Sequence, residues 1–123
     1  MNKLQQQVRE FHQACHLEWY PTPTYPHKTD LRVQLIAEEL DELEYAFSVR
    51  SMTRVADALG DLLYVVYGTA VACGLDMEEI TDEIHRSNMS KVGGVTQEDG
   101  KLLKPATYSP PHLEPIIERQ TNG

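Results

Sequence analysis

The sequence predicts an all-α fold, a four-helix-type bundle, and three observations support this prediction. Apolar residues recur at helical spacing in four segments, and capping residues or glycines stand at the ends of those segments. No segment alternates apolar and polar residues as a half-buried strand does. The 123 residues fit one domain, 1–123, with core helices at about 30–92. A turn-rich tail at 93–123 carries a short final helix near 113–119.

The first two helices flank a proline-rich loop. Residues 3–18 place apolar side chains at helical spacing. The loop WYPTPTYPHKT follows, and its prolines exclude a helix there. Thr29 or Asp30 can cap the second helix, which extends to about Val49.

The third and fourth helices have recognisable ends. Ser51 or Thr53 can cap the third helix, residues 54–73, and Gly74 ends it. The segment DMEE at 76–79 forms a capping box that opens the fourth helix.

The composition limits the partners and the location of the protein. The net charge of −8 excludes DNA, RNA and anionic membranes as direct partners, because those need a basic surface. Cys15 and Cys73 lie among apolar residues, and we expect reduced core cysteines of a cytosolic protein. The N-terminus lacks the apolar core of a signal peptide, and the longest apolar run, residues 62–75, is too short to span a bilayer. We therefore expect a cytoplasmic protein without a membrane partner.

The second helix combines an apolar arc with a cluster of acids. At about 100° per residue, the side chains that we expect to be buried form one arc. They are Val33, Leu35, Ile36, Leu40, Leu43, Ala46 and Phe47. Glu39 falls inside this arc, and Glu38 and Glu42 lie at its edge. The nearby Arg32 and Arg50 cannot neutralise three inward carboxylates, so an ordinary charged flank explains this cluster poorly.

The third helix carries two aspartates in an otherwise apolar segment, which predicts a helix buried on all sides. Asp57 and Asp61 are four residues apart and share one face. In a dry helix each would cost on the order of several kcal/mol without a cation. Protonation or a pair with Arg54 could neutralise one of them. A hard divalent cation, Mg²⁺ or alternatively Mn²⁺, accounts for both. The predicted metal ligands are Glu38, Glu39, Glu42, Asp57 and Asp61.

Candidate substrate-binding groups follow in the fourth helix and the tail. The apolar stripe of the fourth helix continues into Asn88 and Lys91. Asn suits a base edge or a sugar hydroxyl, and Lys suits a phosphate. A solvent-facing helix end is an equally good interpretation of this pattern. Lys101 and Lys104 are further candidates to hold phosphate oxygens.

Four segments, taken together, match a known pattern. They are EELDE at 38–42, DALGDLLYVVYG at 57–68, EIHRSNMSK at 83–91 and DGKLLKP at 99–105. The combination resembles the all-α nucleoside triphosphate pyrophosphatase superfamily, which includes the MazG proteins, the dimeric dUTPases and phosphoribosyl-ATP pyrophosphohydrolase. The last two segments are most similar to the MazG-like branch.

The resemblance implies a helical bundle that assembles as a homodimer or homotetramer and splits a nucleoside triphosphate with Mg²⁺. By the resemblance, Glu39, Glu42 and Asp61 match metal-binding positions. Glu38 matches the leading glutamate, a metal ligand or the group that orients the attacking water. Positions 88 and 91 match positions near the nucleotide. The apolar third helix independently predicts a partner subunit, because four helices cannot cover all its faces.

One position departs from the family pattern. Where the second acidic motif has a glutamate, this sequence has Ala58, and Asp57 stands one position earlier on roughly the same face. Asp57 can substitute for that glutamate, and the number of metal ions is open at this point.

The resulting hypothesis is hydrolysis of a (d)NTP to a (d)NMP and pyrophosphate, with dUTP or dCTP as candidate substrates. A water oriented by the catalytic Glu38 attacks one phosphorus in line with the leaving oxygen. Tyr64 or Trp19 contacts the sugar or base.

Three alternatives remain. Phosphoribosyl-ATP pyrophosphohydrolase activity would use a similar site. A di-iron bundle requires Glu-x-x-His pairs, and this chain has only Asp82-x-x-His85. A non-catalytic helical scaffold would leave the two aspartates of the third helix unexplained.

Overall fold

The computed structural model describes residues 1–123 and contains five α-helices, which confirms the all-α prediction. The helices are α1 (Lys3–Ala14), α2 (Thr29–Ser48), α3 (Met52–Ala72), α4 (Met77–Met89) and α5 (Glu114–Asn122). The chain divides into two compact units, Met1–Met77 and Glu78–Gly123. The assignment of 1–123 to a single domain stays a prediction.

Helix α1 is shorter than predicted. It begins at an Asn2 cap, whose side chain accepts a hydrogen bond from Gln5 N at 2.9 Å. It ends at Ala14 because His16 adopts a left-handed backbone with φ 57°, a conformation that commonly terminates helices. The residues predicted to extend the helix to position 18 are therefore turn and loop.

Helices α2 and α3 pack together as a helical hairpin joined by residues 49–51. The cap position of α2 is Lys28, without a side-chain hydrogen bond, so neither predicted residue caps this helix. Ser51 caps α3 and accepts a hydrogen bond from Arg54 N at 3.2 Å, as one of the two predictions has it. Gly74 follows α3 with φ 67°, and a Cβ there would collide with the Thr22 backbone.

The core of the first unit lies where α3 packs against α1 and α2. Its buried apolar residues are mostly small: Val8, Ala46, Val55, Ala58, Ala70, Val71 and Ala72. Gln5 is 1% exposed; its Nε2 donates to Leu75 O at 2.5 Å, and its Oε1 accepts from Met77 N at 2.9 Å. This side chain therefore ties α1 to the end of the α3–α4 connection.

Much of the apolar surface that was predicted to be buried is exposed in the single chain. Val33, Leu40 and Phe47 of α2 are 68%, 54% and 60% exposed. Leu59 and Leu63 of α3 are 45% and 53% exposed. One chain therefore buries neither the whole predicted arc of α2 nor every face of α3, and the partner subunit that was predicted to cover α3 stays a prediction. The physical reason is that α1 and α2 cover only part of α3.

The cysteine prediction holds in part. Cys15 and Cys73 are both free, but Cys15 is exposed and Cys73 is only half-buried. Cys15 is therefore not a core residue. It directly follows α1, where the chain turns away from the core.

A buried basic pair joins α1, α2 and α3. His12 and Arg32 are 3% and 9% exposed, and His12 Nε2 lies 3.4 Å from Arg32 Nη1. Burial lowers the pKa of His12, so its neutral form can lie beside the guanidinium. Arg32 Nη1 donates to Gly68 O at 3.5 Å, and Arg32 Nε is buried without a partner. A Cβ at Gly68 would lie 3.1 Å from His12 Nε2. The absence of a side chain at Gly68 therefore lets His12 and Arg32 pack closely against α3.

The second unit contains most of α4, the tail and α5. Glu83 of α4 accepts hydrogen bonds from Arg86 Nε at 2.8 Å, Arg86 Nη2 at 2.9 Å and His112 N at 2.7 Å. These donors, Arg86 foremost, lower the pKa of Glu83 to about 2. An isolated antiparallel bridge between Thr96 and Leu102 closes a turn in the tail. The tail is therefore joined to α4 by the hydrogen bond from the backbone N–H of His112 to Glu83.

Helix α3 is long and apolar enough to cross a membrane by length and composition. This helix has 21 residues and begins ten residues before the apolar run 62–75, which was judged too short to span a bilayer. The core helix of a soluble protein meets the same criterion, so the criterion alone assigns no membrane role.

Candidate functional site

A cavity of about 330 Å³ opens on the α2–α3 hairpin of the first unit. The residues that line it come from both helices: Glu39, Glu42, Tyr45, Arg54, Asp57, Ala58 and Asp61. Helical spacing produces this arrangement, because residues three or four apart lie on one face of a helix. Two such faces meet where α2 and α3 pack.

Four of the five predicted metal ligands line this cavity: Glu39, Glu42, Asp57 and Asp61. The pKa of Glu39 is raised from its ordinary value, first by burial and then by the negative charge of Asp61, Glu42 and Asp57. The carboxylates therefore lie close enough to act on one another electrostatically. An added cation would relieve this repulsion.

The cavity is wetter than predicted. Asp57 and Asp61 are exposed in the single chain, and Glu39 is half-buried. The prediction that the two aspartates lie in a dry helix is wrong for one chain, because this face of α3 is not covered. The exposed aspartates do not pay the predicted desolvation cost of several kcal/mol. The unfavourable contribution to the stability of the fold is instead the repulsion between like charges, which is on the order of 0.2–0.5 kcal/mol per exposed pair.

The donor set of the cavity fits a hard divalent cation. Carboxylate oxygens are the ligands that Mg²⁺ and Mn²⁺ prefer. The structure contains no group of three or more His, Cys, Asp or Glu side chains in a metal-binding arrangement. Mg²⁺ commonly keeps several waters and uses only one or two carboxylates. Any two of the four acids that line the cavity would therefore supply the one or two carboxylates that Mg²⁺ uses.

The departure from the family motif can be located in the cavity. Ala58 is 4% exposed and lines the cavity without offering a ligand. Asp57 precedes it and lines the same cavity. A carboxylate is therefore present on this side of the cavity, although it projects from the neighbouring position.

Two predicted site residues of the first unit do not line the cavity. Glu38 is exposed and accepts a hydrogen bond from Gln34 Nε2 at 3.1 Å. Its charge still contributes to the raised pKa of Glu39. Tyr64 packs edge-on against Phe11 of α1, with 5.7 Å between ring centroids. The roles assigned to both residues stay predictions.

The remaining predicted residues lie in the second unit. Lys91 Nζ donates to Asn88 Oδ1 at 3.0 Å and lies 5.8 Å from the ring centroid of Tyr108. Lys104 Nζ lies 4.7 Å from the same centroid. Lys101 is exposed in the turn closed by the bridge. Two predicted substrate-binding lysines, Lys91 and Lys104, thus lie near the ring of Tyr108, and the contact of these residues with a substrate stays a prediction.

Sequence reasoning gave no role to Tyr45 and considered Arg54 only as an ion-pair partner of an aspartate, a pair that the structure does not contain. Arg54 Cζ lies 5.4 Å from the ring centroid of Tyr45, so the guanidinium and the ring form a cation–π contact at the cavity. A signal was available, because Tyr45 is three residues after Glu42 and Arg54 is three residues before Asp57. Extending both acidic faces by one helical turn finds the pair.

The fold and the cavity define a class, that of all-α proteins with a carboxylate-lined site on a helical hairpin. The sequence model of the phosphoribosyl-ATP pyrophosphohydrolase family matches residues 1–88. The chain belongs to this family. Membership confirms the resemblance to the all-α nucleoside triphosphate pyrophosphatase superfamily. Enzymes of the family generally depend on a divalent metal.

A relative in Acanthamoeba polyphaga mimivirus, described as an uncharacterized protein, is 40% identical over 53 residues. The matched segment is 43% of this chain and 21% of the relative. The chain thus spans about a fifth of the length of the relative that it matches.

Proposed function

We propose that this protein is a Mg²⁺-dependent nucleoside triphosphate pyrophosphohydrolase, which converts a (d)NTP and water into a (d)NMP and pyrophosphate. The observation that carries the proposal is the convergence of Glu39, Glu42, Asp57 and Asp61 on one cavity. Family membership supports the reaction class. The pyrimidine deoxynucleotides dUTP and dCTP are the proposed substrates, on the strength of the resemblance to the MazG-like branch.

The four carboxylates set the order of events in this proposal. An acidic cavity repels a free triphosphate, so the substrate enters only with cations that neutralise both. Mg²⁺, when bound, offsets the negative charge that develops on the phosphate oxygens during P–O cleavage. The helices α2 and α3 supply the negative partners from two sides and fix their spacing. Mn²⁺ suits the same oxygen donors.

Glu38 is the proposed group that orients the attacking water. Its only side-chain partner is the exposed Gln34, and such an exposed hydrogen bond is readily exchanged. Its charge already acts on the neighbouring Glu39, which lines the cavity. The water oxygen then forms a bond to one phosphorus while the bond to the leaving phosphate oxygen breaks.

A second candidate substrate is phosphoribosyl-ATP, and the family match favours it specifically. The same carboxylates would serve, since this substrate carries the same triphosphate group. Discrimination between the two substrates depends on groups that contact the base and sugar. Asn88 is the proposed group for that contact, and Lys91 is the proposed group for a phosphate.

We further propose a cytoplasmic homodimer or homotetramer. Large exposed apolar patches mark interaction sites, and the hairpin exposes Val33, Leu40, Phe47 and Leu63. A second copy that covers this surface would bury these apolar side chains. The acidic net charge disfavours nucleic-acid polymers and anionic membranes as partners.

The test is incubation with Mg²⁺ and a panel of nucleoside triphosphates, deoxynucleoside triphosphates and phosphoribosyl-ATP. Pyrophosphate and monophosphate are measured together, because equal amounts of both identify the reaction. Asp61→Asn should abolish turnover, and Glu44→Gln, an exposed acid of α2 outside the cavity, should retain it. No turnover of any substrate by the wild type would overturn the proposal.

A further inference from the structure

The cavity contains one cation that the metal-site proposal does not use. Of its seven lining residues, four are carboxylates and Arg54 is the sole basic side chain. Arg54 forms no ion pair with any of these carboxylates, and its ring contact is with Tyr45. A guanidinium beside four acids that pairs with none of them is available for another anion.

The position of Arg54 in α3 is unfavourable for helix stability. It occupies the first turn, at the third helical residue after the Ser51 cap, where a capping box would place a glutamate. Cations near a helix N-terminus oppose the helix dipole. No ion pair compensates for this; the ring of Tyr45 supplies one favourable contact, and a bound anion would supply another.

The stacking on Tyr45 determines which part of the guanidinium is free. When the ring covers one face of the group, its N–H donors still point outward in the guanidinium plane. That edge matches two oxygens of a phosphate, which a guanidinium binds in a bidentate manner. The first turn of a helix also presents free backbone N–H groups, which favour anions.

We propose that Arg54, held by Tyr45, binds the phosphate oxygens of the substrate and retains the pyrophosphate product at the edge of the cavity. This inference rests on the proposed function and adds a phosphate-binding group to it. The carboxylates bind the triphosphate only through cations, whereas Arg54 contacts it directly. Tyr45 is a positioning residue that orients Arg54.

The test is direct binding of inorganic pyrophosphate in the presence of Mg²⁺, measured by calorimetry on the full chain. Loss of a charge-assisted bidentate contact should weaken binding roughly ten- to hundredfold in Arg54→Gln. Arg54→Lys should recover only part of the affinity, because a lysine keeps the charge without the planar edge. Tyr45→Phe should bind like the wild type, and Tyr45→Leu should bind several-fold more weakly, because only the former keeps the ring.

Arg50→Gln is the matched control, since it removes the same charge from an exposed arginine outside the cavity. It should bind pyrophosphate like the wild type. Equal affinity of Arg54→Gln and wild type, or no binding by the wild type, would overturn the assignment. Measurement of turnover distinguishes this inference from the proposed function. If pyrophosphate binding depends on Arg54 but the protein hydrolyses no nucleotide, only the proposed function is refuted. Hydrolysis with an unchanged KM in Arg54→Gln refutes only this inference.

Discussion

Replacement of Glu39 by glutamine should stabilise the metal-free protein. The glutamine side chain has nearly the same shape and removes the charge that faces Asp61, Glu42 and Asp57. Each exposed like-charge pair costs about 0.2–0.5 kcal/mol, so the relief of three pairs adds about 1 kcal/mol to the free energy of unfolding. In a chain of this length, that raises Tm by roughly 4 °C.

The same substitution should have the opposite effect when Mg²⁺ is present. Binding to the native state alone stabilises wild type by about 2.7 kcal/mol at a Mg²⁺ concentration 100 times Kd. Glu39→Gln loses one oxygen ligand and should gain much less. Wild type should therefore be the more stable protein in Mg²⁺ and the less stable one in EDTA. Thermal and urea unfolding, followed by circular dichroism at 222 nm in both buffers, measures this crossover.

Glu44→Gln is the control for charge removal from α2, because Glu44 is exposed and does not line the cavity. Its stability should stay within about 0.5 kcal/mol of wild type in both buffers. The electrostatic reasoning is refuted if Glu39→Gln is less stable than wild type in EDTA. It is also refuted if Mg²⁺ raises the free energy of unfolding of wild type and of Glu39→Gln by the same amount.

Three further predictions concern pH, the core and assembly. The raised pKa means that the native state holds the Glu39 proton more tightly than the unfolded state does. Metal-free wild type should therefore lose stability relative to Glu39→Gln as the pH rises from about 4.5 through the raised native pKa. Urea titrations across this range measure the difference in stability, and a difference that does not widen would contradict the reasoning. Gln5→Leu should lower the free energy of unfolding by about 1–3 kcal/mol, since the part-buried Leu75 O and Met77 N lose their hydrogen bonds with Gln5. Urea denaturation against the exposed Gln7→Leu measures this, and equal midpoints would contradict it. Leu63→Glu should reduce the molar mass in light scattering to that of a monomer, because it places a charge on the exposed apolar face of α3; an unchanged oligomer mass would exclude this face as the interface.

Local signals predicted the helices well. Ser51 and Gly74 stand at the start and the end of α3 as expected. Both signals are local, because a capping side chain and a left-handed glycine each affect only the adjacent helical turn. The start of α2 was less predictable, since Lys28 occupies its cap position without a side-chain hydrogen bond. The end of α1 was missed because a non-glycine residue, His16, adopts the left-handed conformation there.

The candidate site was predictable where it depends on helical spacing. Spacing selected five acids, and four of them, Glu39, Glu42, Asp57 and Asp61, line one cavity, whereas Glu38 does not. Their exposure was not predictable, because hydropathy does not distinguish a surface covered by the chain itself from one covered by a partner subunit.

Tertiary packing determined the other misses. Arg32 is buried against His12 although arginine is ordinarily a surface residue, and only contacts between three helices account for this. Tyr64 faces Phe11 instead of the cavity because α1 packs on that part of α3. Long-range contacts of this kind leave no periodic signal in the sequence.

The central claim is that carboxylates from α2 and α3 together bind a divalent cation. Titration of Mn²⁺ into the protein, with free Mn²⁺ measured by electron paramagnetic resonance, tests this claim most directly. Wild type should bind Mn²⁺, and Glu39→Gln on α2 and Asp61→Asn on α3 should each weaken the binding at least about tenfold. Undiminished binding in both variants, or no binding in wild type, would contradict the claim.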